Sequence, residues 1–312
     1  MRTSRLLTGL AAGFLALGGL SGFARAEDGI TGLPVIGAPH MEGIALQTAS
    51  GVIATDQHWL DGMLLYICFG VVALVMLLLA IVILRFNQRA NPTPARFTHN
   101  TPLEIVWTLV PILILVTLGS FSLPVLFKQL EIPKADVLVK ITGNQWYWSY
   151  EYPDVGVSFD SMRVDGSTKV ESLGADQPMG DPQIHDDVAD MKLKALGYTP
   201  DQFLLAVDNA MVVPAGKTIV MHITGADVIH AWFVPALAQQ HSAVPGRTGE
   251  MWFKTDTVGV YFGQCTNICG KDHAYMPIVV KVVDQPTYDA WVARFKSAAN
   301  QTGPAAVQVA SN

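Results

Sequence analysis

Gly263-Gln264-Cys265-Thr266-Asn267-Ile268-Cys269-Gly270-Lys271-Asp272-His273-Ala274-Tyr275-Met276-Pro277 is the stretch from which the rest of the chain can be read. Its ligand-type residues are spaced C-x3-C-x3-H-x2-M. A β-type run, Val260-Tyr261-Phe262, precedes it, and another, Ile278 to Val283, follows it, so the stretch reads as a loop between two strands. Another histidine, His230, lies upstream in Asp227-Val228-Ile229-His230-Ala231-Trp232. Two thiolates, two imidazoles and a thioether form a soft donor set that favours copper over magnesium or calcium. A mononuclear blue-copper loop uses one Cys. Two on one short loop can bridge two copper ions, each with a His and a weak axial donor such as Met276. The residues leave two other readings open: a Cys265–Cys269 disulfide in an oxidising compartment, and a structural zinc site with His230 and His273.

Upstream, the chain is too apolar for an ordinary soluble domain, with 50% hydrophobic and 15% charged residues. Charged residues are absent between Asp61 and Arg85 and between Glu104 and Lys128, 23 residues in each case. About 20 apolar residues cross a bilayer core as a helix, so a transmembrane hairpin is expected over 57–130. Arg85, Arg89 and Arg96 lie in its link, which the positive-inside rule places in the cytoplasm. At the start, Arg2 and Arg5, an apolar run from Leu6 to Leu20, and Ala24-Arg25-Ala26 read as a secretory signal over 1–26. A periplasmic N-terminal segment over 27–56 then precedes the hairpin. Three cysteines are too few for a disulfide scaffold, and a net charge of -6 argues against nucleic acid as a partner.

From Ala135 onward, short β-type runs punctuated by Gly and Pro predict an antiparallel sandwich or barrel over 134–296. The strand pattern lapses from about 154 to 200. Between Asp154 and Asp190 this stretch carries nine acidic residues against two basic ones, Arg163 and Lys169. Tyr288 to Lys296 suggests a short closing helix, and 297–312 a disordered tail.

The loop closely resembles the dicopper (CuA) loop of the cytochrome c oxidase subunit II family. Other motifs resemble that family in order: Thr101-Pro102-Leu103-Glu104-Ile105-Val106-Trp107-Thr108 at the start of its second membrane helix, Gln145-Trp146-Tyr147-Trp148-Ser149-Tyr150-Glu151-Tyr152 as its aromatic strand, and Val244-Pro245-Gly246-Arg247 as a turn. The match runs from about residue 56 to 296. It implies a two-helix transmembrane hairpin followed by an all-β cupredoxin-like Greek-key barrel, docked on a haem-bearing subunit I in a bacterial inner membrane with the barrel in the periplasm. The copper ligands implied are His230, Cys265, Cys269, His273, Met276 and the backbone carbonyl of Asn267. Trp146 matches the residue through which electrons from cytochrome c enter, Asp227 an acidic docking position, and Glu104 the mouth of a proton channel in subunit I. The acidic stretch suits a basic cytochrome c, because complementary charge speeds encounter.

One region departs from the family. Asn267 stands where glutamate is usual, and Gln239-Gln240-His241-Ser242 replaces a stretch that typically carries lysine and aspartate. A hard cation prefers carboxylate oxygen, so the interfacial magnesium site is expected to be weakened here or held mainly by subunit I. Two other functions fit the residues less well. Quinol-using relatives generally lack the Cys pair, and a membrane-anchored copper-binding or assembly protein commonly has one span and simpler copper motifs.

Overall fold

The computed structural model describes residues 27–40, 43 and 45–301. The expected signal segment, and the tail beyond residue 301, lie outside the described residues.

Two long helices, α1 (Val52–Arg85) and α2 (Thr101–Leu130), form the hairpin and expose their apolar side chains along their length. At about 1.5 Å per residue both exceed a ~30 Å hydrocarbon core. Asn100 caps α2 by accepting from Leu103 N at 3.2 Å, and Glu104 reaches back to accept from Asn100 N at 3.0 Å. This reciprocal capping satisfies backbone donors that the helix itself cannot. Near the opposite end, Lys128 pairs with Asp56 at 2.6 Å. The first turn of α1 docks into the β domain: Ile53 and Ala54 are buried, and the Ser50 hydroxyl hydrogen-bonds Thr255 and Tyr261 at 2.6 and 2.8 Å. The β domain is therefore seated directly on the apolar hairpin.

The β domain is two facing sheets. One contains β2 (Val137–Asn144), β3 (Tyr147–Tyr152), β4 (Val157–Ser161), β6 (Ile219–Gly225) and β9 (Gly249–Phe253), in the order β4-β3-β2-β6-β9. The other runs β5 (Met211–Pro214), β11 (Pro277–Val283), β10 (Gly259–Cys265), β7 (His230–Val234), β8 (Gln239–Ala243), with β1 (Val35–Gly37) added parallel to β10. Val139, Ile141, Trp148, Tyr150, Tyr261, Val280 and Val282 fill the space between them.

The acidic stretch is more ordered than its composition suggests. It contributes β4, whose Val157, Phe159 and Ser161 alternate inward, and the helix α3 (Asp187–Ala195). Val164, Leu193, Leu196, Tyr198 and Phe203 then form a second apolar cluster against Val260, Phe262 and Val279 of the main sheet. The closing helix α4 spans Gln285–Gln301, so it begins earlier than expected and occupies the start of the supposed disordered tail. Its buried Tyr288, Trp291, Val292 and Phe295 make one helical stripe. That stripe packs on Tyr152 and Phe159, with Trp291–Tyr152 and Phe295–Phe159 centroids 5.1 Å apart.

Lys281 sits in the middle of the fully buried strand β11. Its Nζ reaches both Asp28 oxygens at 2.7 and 2.9 Å and the Ile30 carbonyl at 2.7 Å, and it lies 5.4 Å from the Tyr198 ring centroid. A charge so far from water requires such pairing. The contact straps the N-terminal segment across the domain.

Candidate metal centre

Three strand ends converge on the candidate site. His230 begins β7, Cys265 ends β10, and β11 begins directly after Met276. Pairing of Cys265 with Trp232 and of Gln264 with Pro277 fixes their relative positions. Gly143 on β2 lets the His230 ring approach the backbone: a Cβ there would lie 2.9 Å from the imidazole. An isolated Gly within a strand marks this kind of close approach.

His230 is fully buried. Its Nε2 meets Asp227 Oδ1 at 2.8 Å, while Nδ1 is buried with no hydrogen-bond partner among the described residues. A buried polar atom left this way is costly unless another species satisfies it. The Asp227 contact makes Nε2 the donor and leaves Nδ1 a lone pair, the arrangement expected of a metal-ligating imidazole. One donor atom each from His230, Cys265 and Cys269 lie within 4.8 Å of one another.

The two sulfurs are 3.9 Å apart, outside bonding distance. Cys269 Sγ is also 3.5 Å from His273 Nδ1 and 3.5 Å from Met276 Sδ, and Cys265 Sγ lies 3.3 Å from the Asn267 carbonyl oxygen. Burial pushes the Cys269 thiol up to about 12, and the adjacent Cys265 adds to the rise. A thiol so raised is held protonated by its surroundings, and ionising it this close to Cys265 would call for a cation beside it. Six donors, one of them a thioether, exceed the four of a structural zinc site and fit a soft, copper-type ion.

Trp146 lies against the loop, its Nε1 donating to the Cys269 carbonyl at 3.3 Å. The Gln145 side chain donates to the same carbonyl at 2.9 Å. Gly270, at φ +132°, makes room for the indole, since a Cβ would fall 2.8 Å from Trp146 Cζ2. Lys271 Nζ lies 5.5 Å from the indole centroid. Asp227 accepts from Gln145 N at 2.7 Å through its second oxygen. Burial pulls its pKa upward, but hydrogen bonds from His230, Val228 N and Gln145 N outweigh that and hold the carboxyl below its usual range.

One expected residue, Glu104, lies away from this site, and the Asn267 side chain, unlike its carbonyl, turns from it. Glu104 is at the far end of α2, engaged in capping. The Asn267 side chain donates to the Ile229 carbonyl at 3.0 Å, and Gln240 donates to Thr266 Oγ1 at 3.2 Å. Sequence reasoning missed Gln145 and the two glycines. Of these, Gly143 left a signal, as a glycine interrupting a strand pattern.

The chain is similar to known proteins in both of its parts. The chain matches the family model described as cytochrome c oxidase subunit II, periplasmic domain, over residues 137–178 and 186–283, and that for its transmembrane domain over 39–125. It is 49% identical over 292 residues to cytochrome c oxidase subunit 2 of Cereibacter sphaeroides, covering 94% of this chain and 92% of that one. With a probable cytochrome c oxidase subunit 2 of Rickettsia bellii (strain RML369-C) the identity is 39%, covering 82% and 86%. The crystal structure of the periplasmic domain of subunit II of cytochrome oxidase of Bradyrhizobium japonicum is 40% identical, covering 53% of this chain and 97% of that one at a TM-score of 0.40. From its loop, its hairpin and these relatives, the chain belongs to the cytochrome c oxidase subunit II family, and so to an oxidoreductase complex of the membrane.

Proposed function

We propose that this chain accepts electrons from cytochrome c at a dinuclear CuA centre and passes them to the haem centres of subunit I, where oxygen is reduced to water and protons are translocated. The residues that would hold copper are His230, Cys265, Cys269, His273, Met276 and the Asn267 carbonyl. The observation that carries the reading is the buried, unpartnered His230 Nδ1 grouped with two thiols. When bound there, a copper pair would supply one-electron chemistry.

The surrounding residues have separable tasks. Asp227 fixes the His230 tautomer. Trp148 donates to the Met276 carbonyl at 3.3 Å and anchors that end of the loop. Trp146 is half-buried and hydrogen-bonded to the Cys269 backbone, which makes a short route from the surface to a copper ligand. The acidic stretch and Asp227 offer negative charge to a basic cytochrome c, which speeds encounter more than it strengthens binding. Because Asp227 also holds His230, its neutralisation should disturb the copper spectrum as well as docking.

The arginine-bearing link is proposed to face the cytoplasm and the copper domain the periplasm of a bacterial inner membrane. Glu104 then lies at the cytoplasmic end of α2, where a carboxylate at the membrane boundary can collect protons for a channel in subunit I. At the subunit I interface, Asn267 offers a neutral amide oxygen in place of a carboxylate, its NH2 donating to the Ile229 carbonyl, and Gln240 and Ser242 bring no charge. A magnesium ion there would depend mainly on subunit I. Tight manganese binding at that interface requiring Asn267 in the complex would refute this weakening.

The test of the main reading is electron paramagnetic resonance of the copper-loaded full chain. Wild type should show the hyperfine pattern of one unpaired electron shared by two copper nuclei. Cys265→Ser and Cys269→Ser should each abolish it. An unchanged spectrum in either variant refutes the assignment.

A further inference from the structure

Arg163 sits where the acidic stretch meets the copper loop. It is 8% exposed, and its guanidinium carbon lies 4.9 Å from the ring centroid of Phe203 and 4.9 Å from that of Tyr275. Phe203 belongs to the apolar cluster of the acidic stretch. Tyr275 belongs to the single turn His273–Tyr275 immediately before Met276. Nη2 of Arg163 holds Asp165 at 3.1 Å and also donates to the Pro182 carbonyl. Nη1 is buried with no hydrogen-bond partner among the described residues. The two aromatic rings are therefore prominent among the groups that replace water around this cation, and a desolvated guanidinium interacts with ring faces more strongly than an exposed one.

The turn needs an external hold. Its backbone hydrogen bonds, His273 N to the Gly270 carbonyl at 3.3 Å and Tyr275 N to the Asp272 carbonyl at 2.9 Å, stay within the loop. Trp148 secures the Met276 carbonyl beyond it. On the other side, the Arg163–Tyr275 contact joins the turn to a stretch that packs its own core against β10 and β11.

We infer that Arg163 is a positioning residue for the copper loop: by clamping Tyr275 it fixes the turn that presents His273 Nδ1 and Met276 Sδ to Cys269. The inference rests on the reading that those atoms hold copper. It gives the acidic stretch a second task besides docking, that of a brace on the metal site.

The test uses the full chain in detergent, loaded with copper, with two readouts: the copper hyperfine pattern, and the rate at which a chelator withdraws the metal. Arg163→Met keeps bulk but removes the charge, and Tyr275→Ala removes the ring without touching the apolar cluster. Both should alter the hyperfine pattern and speed copper withdrawal about ten-fold, the scale of one desolvated cation–π interaction. Tyr275→Phe should match wild type, and Arg163→Lys should fall between. The Arg163→Met, Tyr275→Ala double variant should be no worse than either single one. Wild-type spectrum and withdrawal rate in Tyr275→Ala overturn the inference even if Arg163→Met fails to fold, and so does an additive double variant. Cys269→Ser is the control on the underlying reading: an unchanged spectrum there refutes the copper assignment itself, independently of Arg163.

Discussion

The copper loop and the acidic stretch beside it both leave the strand pattern, and strongly polar groups are buried in and around both. They differ in how those groups are satisfied. Around the acidic stretch two buried cations each face an acid, Arg163 against Asp165 and Lys281 against Asp28, and a third, Lys192, donates to the Gly166 carbonyl. In the loop, thiols, an unpartnered imidazole nitrogen and a thioether face one another, and the one acid nearby, Asp227, engages the other nitrogen of that imidazole. Compensated charges hold a fold together. Uncompensated donors that converge on one point describe a ligand, here a soft cation.

The largest effect is expected at Lys281. Lys281→Ala leaves Asp28 buried and unpaired, which should cost about 3–5 kcal/mol. The double variant Lys281→Met, Asp28→Ala should lose less, because no charge is stranded. In the same thermal unfolding of the full chain without metal, Cys269→Ser should stay within about 1 kcal/mol of wild type. A double variant as unstable as Lys281→Ala alone would mean that this pair is not what the region depends on.

Next in size is the rate effect at Trp146. Trp146→Gln should slow reduction by cytochrome c at least about ten-fold, the equivalent of ~1.4 kcal/mol of barrier. The affinity for cytochrome c and the copper spectrum should stay near wild type. Stopped-flow kinetics with a parallel binding titration separates the two. A loss confined to binding would place Trp146 in docking and not in the route to Cys269.

Legibility in the sequence follows the same division. The loop could be read because its chemistry is local: Cys265 to Met276 span one turn of chain between two strands, and only His230 comes from elsewhere. The hairpin was legible for a similar reason, since uninterrupted apolar runs have few other uses. What escaped were features made by distant contacts. Lys281 in Val-Val-Lys-Val-Val looks like a solvent-facing strand position, yet its partner lies 253 positions away. The acidic stretch reads as solvated because nine acids fall between Asp154 and Asp190, whereas Val164, Leu193 and Phe203 are too scattered to show a period. Glu104 was legible as a membrane-boundary acid but not as a cap, which depends on the Asn100 backbone turning to meet it.

The smallest effect concerns pH and tests whether the acidic stretch is fully compensated. Asp208 lines the cleft of about 650 Å³ between Trp146 and that stretch. Its Oδ1 accepts from Met162 N at 2.7 Å and Asn209 N at 2.8 Å. Burial nonetheless pushes its pKa up to about 7, from an ordinary 3.8, with Asp28 adding a little. A carboxyl raised in the folded state gives a stability contribution that is complete below the unfolded value and is lost as pH rises through the folded one. Stability should therefore fall between about pH 4 and 7. Solvent at the cleft screens the charge, so the net loss should be about 1 kcal/mol, or ~2–4 °C in Tm. Asp208→Asn keeps the acceptor for both backbone amides and removes the titration. Its melting temperature should match wild type near pH 4 and exceed it at pH 8. Parallel pH profiles for the two proteins would show that Asp208 ionises freely in the fold, making it, like Asp28 and Asp165, a compensated charge.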